Sequence, residues 1–328
     1  MTLGGFMNGT FATKDFATYS PENVIAENLQ ELTARADLLG ELEIAHLREL
    51  AMEIAQGDDL ADLLASLHDY RISPGAPSQS ILTNNAELLL RSRKILEARQ
   101  CMILCEALYE ELRNREPLLP VLFPDEEEIL TNAAGRIIYQ RNSYTDDAYL
   151  AFAKFVPDAR AAYAHNFQTA CQEVFDGHCE FCILPIENAV EGELIGFSKL
   201  ISQYDLKIAA VCDIVGTDAS RKTRFALLRR NILPLLDVNN EQGRLFRFSL
   251  PSQSASFVSD ILNAANFFGL TFLSINTLPI DKDGAFACFN LTFATKGGNL
   301  YPFLLYLAMI APQYTPIGIY SHIKQKGL

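Results

Sequence analysis

No stretch of this sequence is long and apolar enough to cross a bilayer: Leu300–Pro312, the longest mostly apolar run, falls well short of the roughly 20 residues needed. Met1–Phe11 lacks the charged n-region and long apolar h-region of a signal peptide, so the expectation is a cytoplasmic protein without a membrane partner. Clustered Lys and Arg are missing from every segment, which removes the phosphate neutralisation that nucleic-acid binding depends on. The cysteines are scattered and odd in number, seven, which argues against a disulfide framework and fits reduced thiols. His46, His68, His165 and His322 fall into no recognisable triad or ligand set.

What is present is a globular composition. The 328 residues are 49% hydrophobic and 20% charged, with a mean hydropathy of +0.08, enough for a sizeable core and for two or three domains. The net charge of −13 is concentrated: residues 1–135 hold 23 acidic and 10 basic side chains, whereas residues 136–328 hold 17 of each.

Helical spacing dominates the first third. Ile25, Leu29, Leu32, Ala36 and Leu39, then Ile44, Leu47 and Ile54 beyond Gly40, predict two helices or one bent helix over Glu22–Gln56. Asp58–Tyr70 reads as a short helix and Ser73–Ser78 as a loop. Over Ala86–Arg115, Leu88, Ile95, Met102 and Tyr109 recur every seven residues beside Leu89, Leu96 and Ile103, predicting one long helix with a broad apolar stripe. Pro117, Pro120 and Pro124 end it, and Asp125 with Glu128 reads as a capping box for a short helix ending at Gly135. The expected domains are a helical bundle at 1–124, an α/β lobe at 125–232 and a third unit at 244–328.

The middle segment alternates short strands (136–140, 181–185, 207–211, 224–228) with helices (146–155, 166–175, 196–204), which implies a partly parallel sheet. The last 85 residues read as β-α-β-β-α-β, with a hairpin turn at Asp281–Gly284 and a helix at Leu300–Ile310, a ferredoxin-like order.

Leu184-Pro185-Ile186-Glu187-Asn188, followed by Gly192, resembles the signature of the prephenate dehydratase family. In the same order, Ile137–Gln140 resembles that family's opening strand, Ser143-Tyr144-Thr145 the motif after it, and Lys222-Thr223-Arg224-Phe225 the Thr-Arg-Phe that closes its catalytic domain. The resemblance implies a lobe like those of type II periplasmic binding proteins, followed by a regulatory ACT domain. It also implies that a second lobe should lie between Lys207–Val211 and Thr223, where only Cys212–Lys222 is present. The signature Ser is Ala189, the first loop lacks Gly-x-x-Gly around Arg141 and Asn142, and Val211 stands where the family has a Glu. The helical bundle occupies the place of a chorismate mutase domain, to which Arg35, Arg48, Arg91, Arg93, Lys94 and Arg99 could contribute cations; solvated faces are the alternative account.

In this reading Thr223 is aimed at the leaving hydroxyl of prephenate, Glu187 and Asn188 shape the near wall, and Ser143 lies in the first loop. Glu187 and Asn188 can equally cap the following turn, and Arg224 can hold a ligand carboxylate or pair with Glu187. The effector positions of an ACT domain fall on Ser254, Ala255 and Asn276, without the usual Glu and Arg. His178-Cys179-x-x-Cys182 has the spacing of half a zinc site, but no second pair accompanies it, and buried thiols are the reading adopted. No metal or cofactor is expected. The function expected is a degenerate prephenate dehydratase relative, linked to phenylalanine and aromatic amino-acid biosynthesis through ligand binding or regulation. The alternative is an active dehydratase (a carbon-oxygen lyase), or a bifunctional chorismate mutase and prephenate dehydratase. A small aromatic or carboxylate ligand is the expected partner, and a homodimer or higher oligomer assembled through the C-terminal unit the expected assembly.

Overall fold

The structure, a computed structural model of the chain, describes residues 21–57, 84–113, 133–216, 222–232, 235, 243–251, 256–279 and 287–324. The short helix at 58–70, the loop at 73–78, the prolines at 117–124, the capping box at 125–128 and the turn at 281–284 lie outside the described residues, as do Ser254 and Ala255. The chain divides into two compact units, Met1–Glu49 and Leu50–Leu328.

Helix α1, Pro21–Gly57, is continuous through Gly40, so one helix forms where two were allowed. A glycine inside a helix costs only about 1 kcal/mol relative to alanine, which the turns on either side offset. Leu29, Leu32, Leu38, Leu39 and Leu42 of the first unit are all at least half exposed.

In the second unit the long helix predicted over Ala86–Arg115 is two helices, α2 (Asn84–Ile95) and α3 (Ala98–Leu112). The break falls at Leu96–Glu97, where the Glu97 N–H donates to Gln100 Oε1 at 2.9 Å and starts the new helix. The seven-residue stripe is interrupted with it: Ile95 is 80% exposed, whereas Leu89, Met102 and Ile103 are buried.

A mixed sheet organises the rest. Its strands are β1 (Arg136–Gln140), β2 (Arg160–Ala164), β3 (Phe181–Asn188), β4 (Gly192–Glu193), β5 (Lys207–Val215), β6 (Lys222–Arg229), β7 (Leu245–Pro251), β8 (Thr271–Pro279), β9 (Ala287–Ala294) and β10 (Thr315–Ile323). The order across the sheet is β2-β1-β3-β6-β5-β10-β7-β9-β8, with β4 paired to β3. Strands β2 and β4 have no counterpart in the sequence reading, because Arg160–Ala164 is a half-exposed edge strand and β4 has only two residues.

Helices α4 (Ser143–Phe152), α5 (Phe167–Phe175) and α6 (Ile195–Gln203) connect the first five strands, and Asn142 and Asn166 cap the first two by accepting from the Thr145 and Thr169 N–H groups. Strand β3 is apolar on both faces because both are covered. Phe181 and Ile183 join the α4-side core, while Cys182, Leu184 and Ile186 join the core under α5 and α6.

The C-terminal part runs β7, α7 (Val258–Phe267), β8, β9, α8 (Leu300–Ile310), β10, with strand order β10-β7-β9-β8. Phe246, Phe248 and Phe293 pack with Phe303 of α8 on one sheet face, and Arg247, Ser249 and Asn290 alternate onto the other. Helix α8 is apolar all round because α3 covers its outer side, with Tyr109 and Tyr301 stacked at 5.8 Å. Helix α3 therefore completes the core of the C-terminal part instead of belonging to a separate bundle.

Strand β10 joins the two halves. It pairs parallel with β5 on one side and antiparallel with β7 on the other. At Gly318 a Cβ would come within 2.5 Å of the Ile208 carbonyl oxygen, so this strand approach requires glycine. One edge of the C-terminal sheet is thus paired within the chain; the other, β8, exposes Phe272, Leu273 and Ile275.

Candidate functional site

Two charged clusters lie in the second unit. The first is built where β3, β5, β6 and β10 run side by side. Strands β5 and β6 pair directly up to Val215 opposite Lys222, so only residues 216–221 connect them. This ladder sets Asp213 opposite Arg224, while the β3–β6 ladder sets Glu187 opposite Arg224 and Asn188 opposite Thr223.

Arg224 is the hub. Its Nε donates to Asp213 Oδ1 at 2.8 Å and its Nη1 to Glu187 Oε2 at 2.7 Å. Lys222 Nζ and His322 Nε2 reach Asp213 Oδ2 at 2.7 and 3.0 Å. Burial opposes the charge on Asp213, but hydrogen bonds from His322, Arg224 and Lys222 outweigh it and hold the carboxyl well below the usual carboxylate range. For Arg224 burial likewise works against the charge, and Asp213 and Glu187 more than offset it, raising its pKa.

Of the residues singled out in the sequence, the structure brings together Glu187, Asn188, Thr223 and Arg224. Arg224 takes the ion-pair option with Glu187. Asn188 takes the turn option, its Oδ1 accepting from the Val190 and Glu191 N–H groups at 2.9 and 2.6 Å. Thr223 is half-buried on β6. Ser143 is exposed at the start of α4 and is not among the partners of this cluster. Asp213, Lys222 and His322 were missed; the available signal was a single Asp within the otherwise apolar run Ile208–Val215.

The second cluster surrounds Glu193 on β4. Arg247 Nη2 and Ser198 Oγ donate to its Oε1, the latter at 2.8 Å, and Asn276 Nδ2 donates to its Oε2 at 2.8 Å. Asn290 Nδ2 adds a longer bond to Oε1 at 3.3 Å. Asn276, expected at an effector position, is thus a partner of Glu193. Glu193 and Arg247 are each only 12% exposed. Tyr320 is fully buried between the clusters: burial raises its phenol, while Arg247 and Arg224 pull it down.

Cys179 and Cys182 are buried, with thiols pushed up by desolvation, and the exposed His178 pairs with Glu173. Among the described residues no group of three or more His, Cys, Asp and Glu is placed to hold a metal ion. None of the described helices is long and apolar enough to cross a membrane. Of the cations in the first third, Arg35 pairs with Glu31 at 2.6 Å and Arg93 lies 5.7 Å from the centre of the Phe257 ring.

No curated protein matches the chain. Several solved structures align with more than half of it. Prephenate dehydratase from Streptococcus mutans aligns at 20% identity and a TM-score of 0.47, over 57% of this chain and 98% of that one. A prephenate dehydratase from Arthrobacter aurescens in complex with L-Phe aligns at 15% identity and 0.45, over 59% and 92%. GqqA, described as a novel type of quorum quenching acylase, aligns at 18% identity and 0.42, over 56% and 94%. Residues 140–215, from the end of β1 to the end of β5, match the family model Prephenate dehydratase.

Proposed function

We propose that the chain is a degenerate relative of the prephenate dehydratase family, acting by ligand binding or regulation in aromatic amino-acid biosynthesis rather than by dehydrating prephenate. The observation that carries this reading is the direct pairing of β5 with β6. Dehydration of prephenate expels carbon dioxide and hydroxide as the ring becomes aromatic, and a catalyst must hold two carboxylates while donating a hydrogen bond to the departing hydroxyl. The cations near Thr223 that would meet those carboxylates, Arg224 and Lys222, are already bound by Asp213 and Glu187. Residues 216–221 are too few for a second lobe that would close over them.

The test is purified full-length protein incubated with prephenate at neutral pH, with phenylpyruvate followed against the uncatalysed background. The expected result is no increase over background. Phenylpyruvate formation that Thr223→Ala abolishes would overturn the reading and establish the active dehydratase.

The C-terminal β-α-β-β-α-β part is read as ACT-like, in keeping with its strand order. We assign it the homodimer contact, supported by the apolar edge strand β8 with Phe272, Leu273 and Ile275 exposed. Light scattering should give twice 36.5 kDa, reduced to the monomer by Leu273→Lys; a monomeric mass for the unaltered chain refutes the assignment.

A further inference from the structure

The face of the C-terminal sheet opposite α7 and α8 meets α6 across a cavity of about 430 Å³, within the size range of small-molecule sites. The Glu193 carboxylate ties the two sides together: Ser198 of α6 donates to it from one side, and Arg247 and Asn276 of the sheet from the other. The walls are therefore fixed before a ligand arrives, which lowers the cost of binding one. We propose that this cavity binds a small amphiphilic monoanion, an apolar body carrying a single anionic head.

The apolar body follows from the wall. Ile186 of β3, Ile208 of β5, Ile201 of α6 and Pro316 and Ile317 of β10 all line the cavity, so one side of it is continuous hydrocarbon. Water against such a surface is readily displaced by a hydrocarbon group of matching size.

The head follows from the balance of charge. Of the three cations in the described wall, Arg247 is paired with Glu193 and Lys207 with Asp205. Lys199 has no ion pair among the described residues, which leaves the wall with one net positive charge. Ser202 lies one turn further along α6 and also lines the cavity, so an ammonium and a hydroxyl are neighbours on the same helix face. Both can donate to one anionic head. A cation would meet Lys199 with like sign, and a dianion would bring one charge more than the wall can offset beside Glu193 and Asp205. The cavity is separate from the Asp213–Arg224 cluster, so binding here neither requires nor excludes dehydration of prephenate, and the two tests fail independently.

The experiment is isothermal titration calorimetry on the full chain with one skeleton in three charge states, 3-phenylpropanoate, 3-phenylpropanamide and 3-phenylpropan-1-amine, and with propanoate as the head lacking the body. The expected result is saturable binding of 3-phenylpropanoate, with the amide weaker by about fivefold, the scale of one solvent-exposed ion pair, the amine weaker still, and no saturation by propanoate. Lys199→Met, an exposed substitution that keeps an apolar stem, should remove the advantage of the acid over the amide. Cys288, which lines the cavity, ties the binding to this place: 3-phenylpropanoate should slow its alkylation by iodoacetamide in the unaltered chain. No saturable binding of 3-phenylpropanoate up to about 10 mM, well above a millimolar Kd, overturns the proposal. So does an amide or amine that binds as tightly as the acid, an advantage of the acid that survives Lys199→Met, or alkylation of Cys288 at an unchanged rate.

Discussion

The charged clusters around Asp213 and Glu193 are similar in composition and opposite in condition. Around Asp213, three cationic or titratable side chains and Glu187 satisfy one another, and the cluster is closed. Around Glu193 the carboxylate is fully engaged, yet its neighbours Arg247 and Asn290 retain buried atoms without partners beside an open cavity. Polar groups beside the segment that matches the family model are therefore committed to structure, while the cavity lies where that segment meets the C-terminal sheet.

The comparison breaks most visibly at Glu193. Removing its carboxylate leaves Arg247 buried without a counter-charge and strips bonds from Asn276, Asn290 and Ser198. Glu193→Ala should cost about 3–5 kcal/mol in urea unfolding, and a loss below about 1 kcal/mol would show that water replaces the carboxylate.

At Asp213 the expected loss is smaller, because Arg224 keeps Glu187. Asp213→Asn should cost roughly 2 kcal/mol at neutral pH. The pH dependence follows from the lowered carboxyl of the folded state. An unfolded aspartate titrates near about 4, so the stabilisation is fully present above that value and is lost as pH falls through the lower folded-state value. The gap between the unaltered chain and Asp213→Asn should narrow steadily below about pH 4; a gap that is constant down to acid unfolding contradicts the assignment.

Glu187→Gln should change stability by less than about 1 kcal/mol, since its side chain is 46% exposed and solvent screens the pair. The smallest perturbation is chemical. Burial, then Asp213, pushes the Cys212 thiol up to about 12, whereas Cys288 is partly accessible in the wall of the cavity. Mass spectrometry after brief alkylation should find Cys288 modified and Cys212 untouched until the chain unfolds; modification of Cys212 in the folded protein would show that the closed cluster opens.

Much of the fold could be read from local pattern. The terminal β-α-β-β-α-β order, the helix at Leu300–Ile310 and the strands holding Leu184–Asn188 and Thr223–Phe225 all follow from periodicity and breakers. What local pattern does not carry is which strand lies beside which. His322 is a partner of Asp213 only because β10 returns to pair with β5, and Arg247 is a partner of Glu193 only because β7 lies next to β10. The break at Leu96–Glu97 was hidden for a different reason. The Glu97–Gln100 start lacks the small polar residue that usually marks a helix N-terminus, and the apolar spacing runs through it unbroken.

The placement of β10 has a consequence for how the protein is made. Strand β10 leaves the ribosome after both of its neighbours; it lies between β5 and β7, which precede it by roughly 100 and 65 residues of synthesis. Until Thr315–Ile323 emerges, the nascent chain presents two unpaired strand edges, one on each half-sheet, for the whole of that interval. Such a topology makes the halves wait for each other, and it exposes the unfinished chain to self-association at the moment when a chaperone would be of most use.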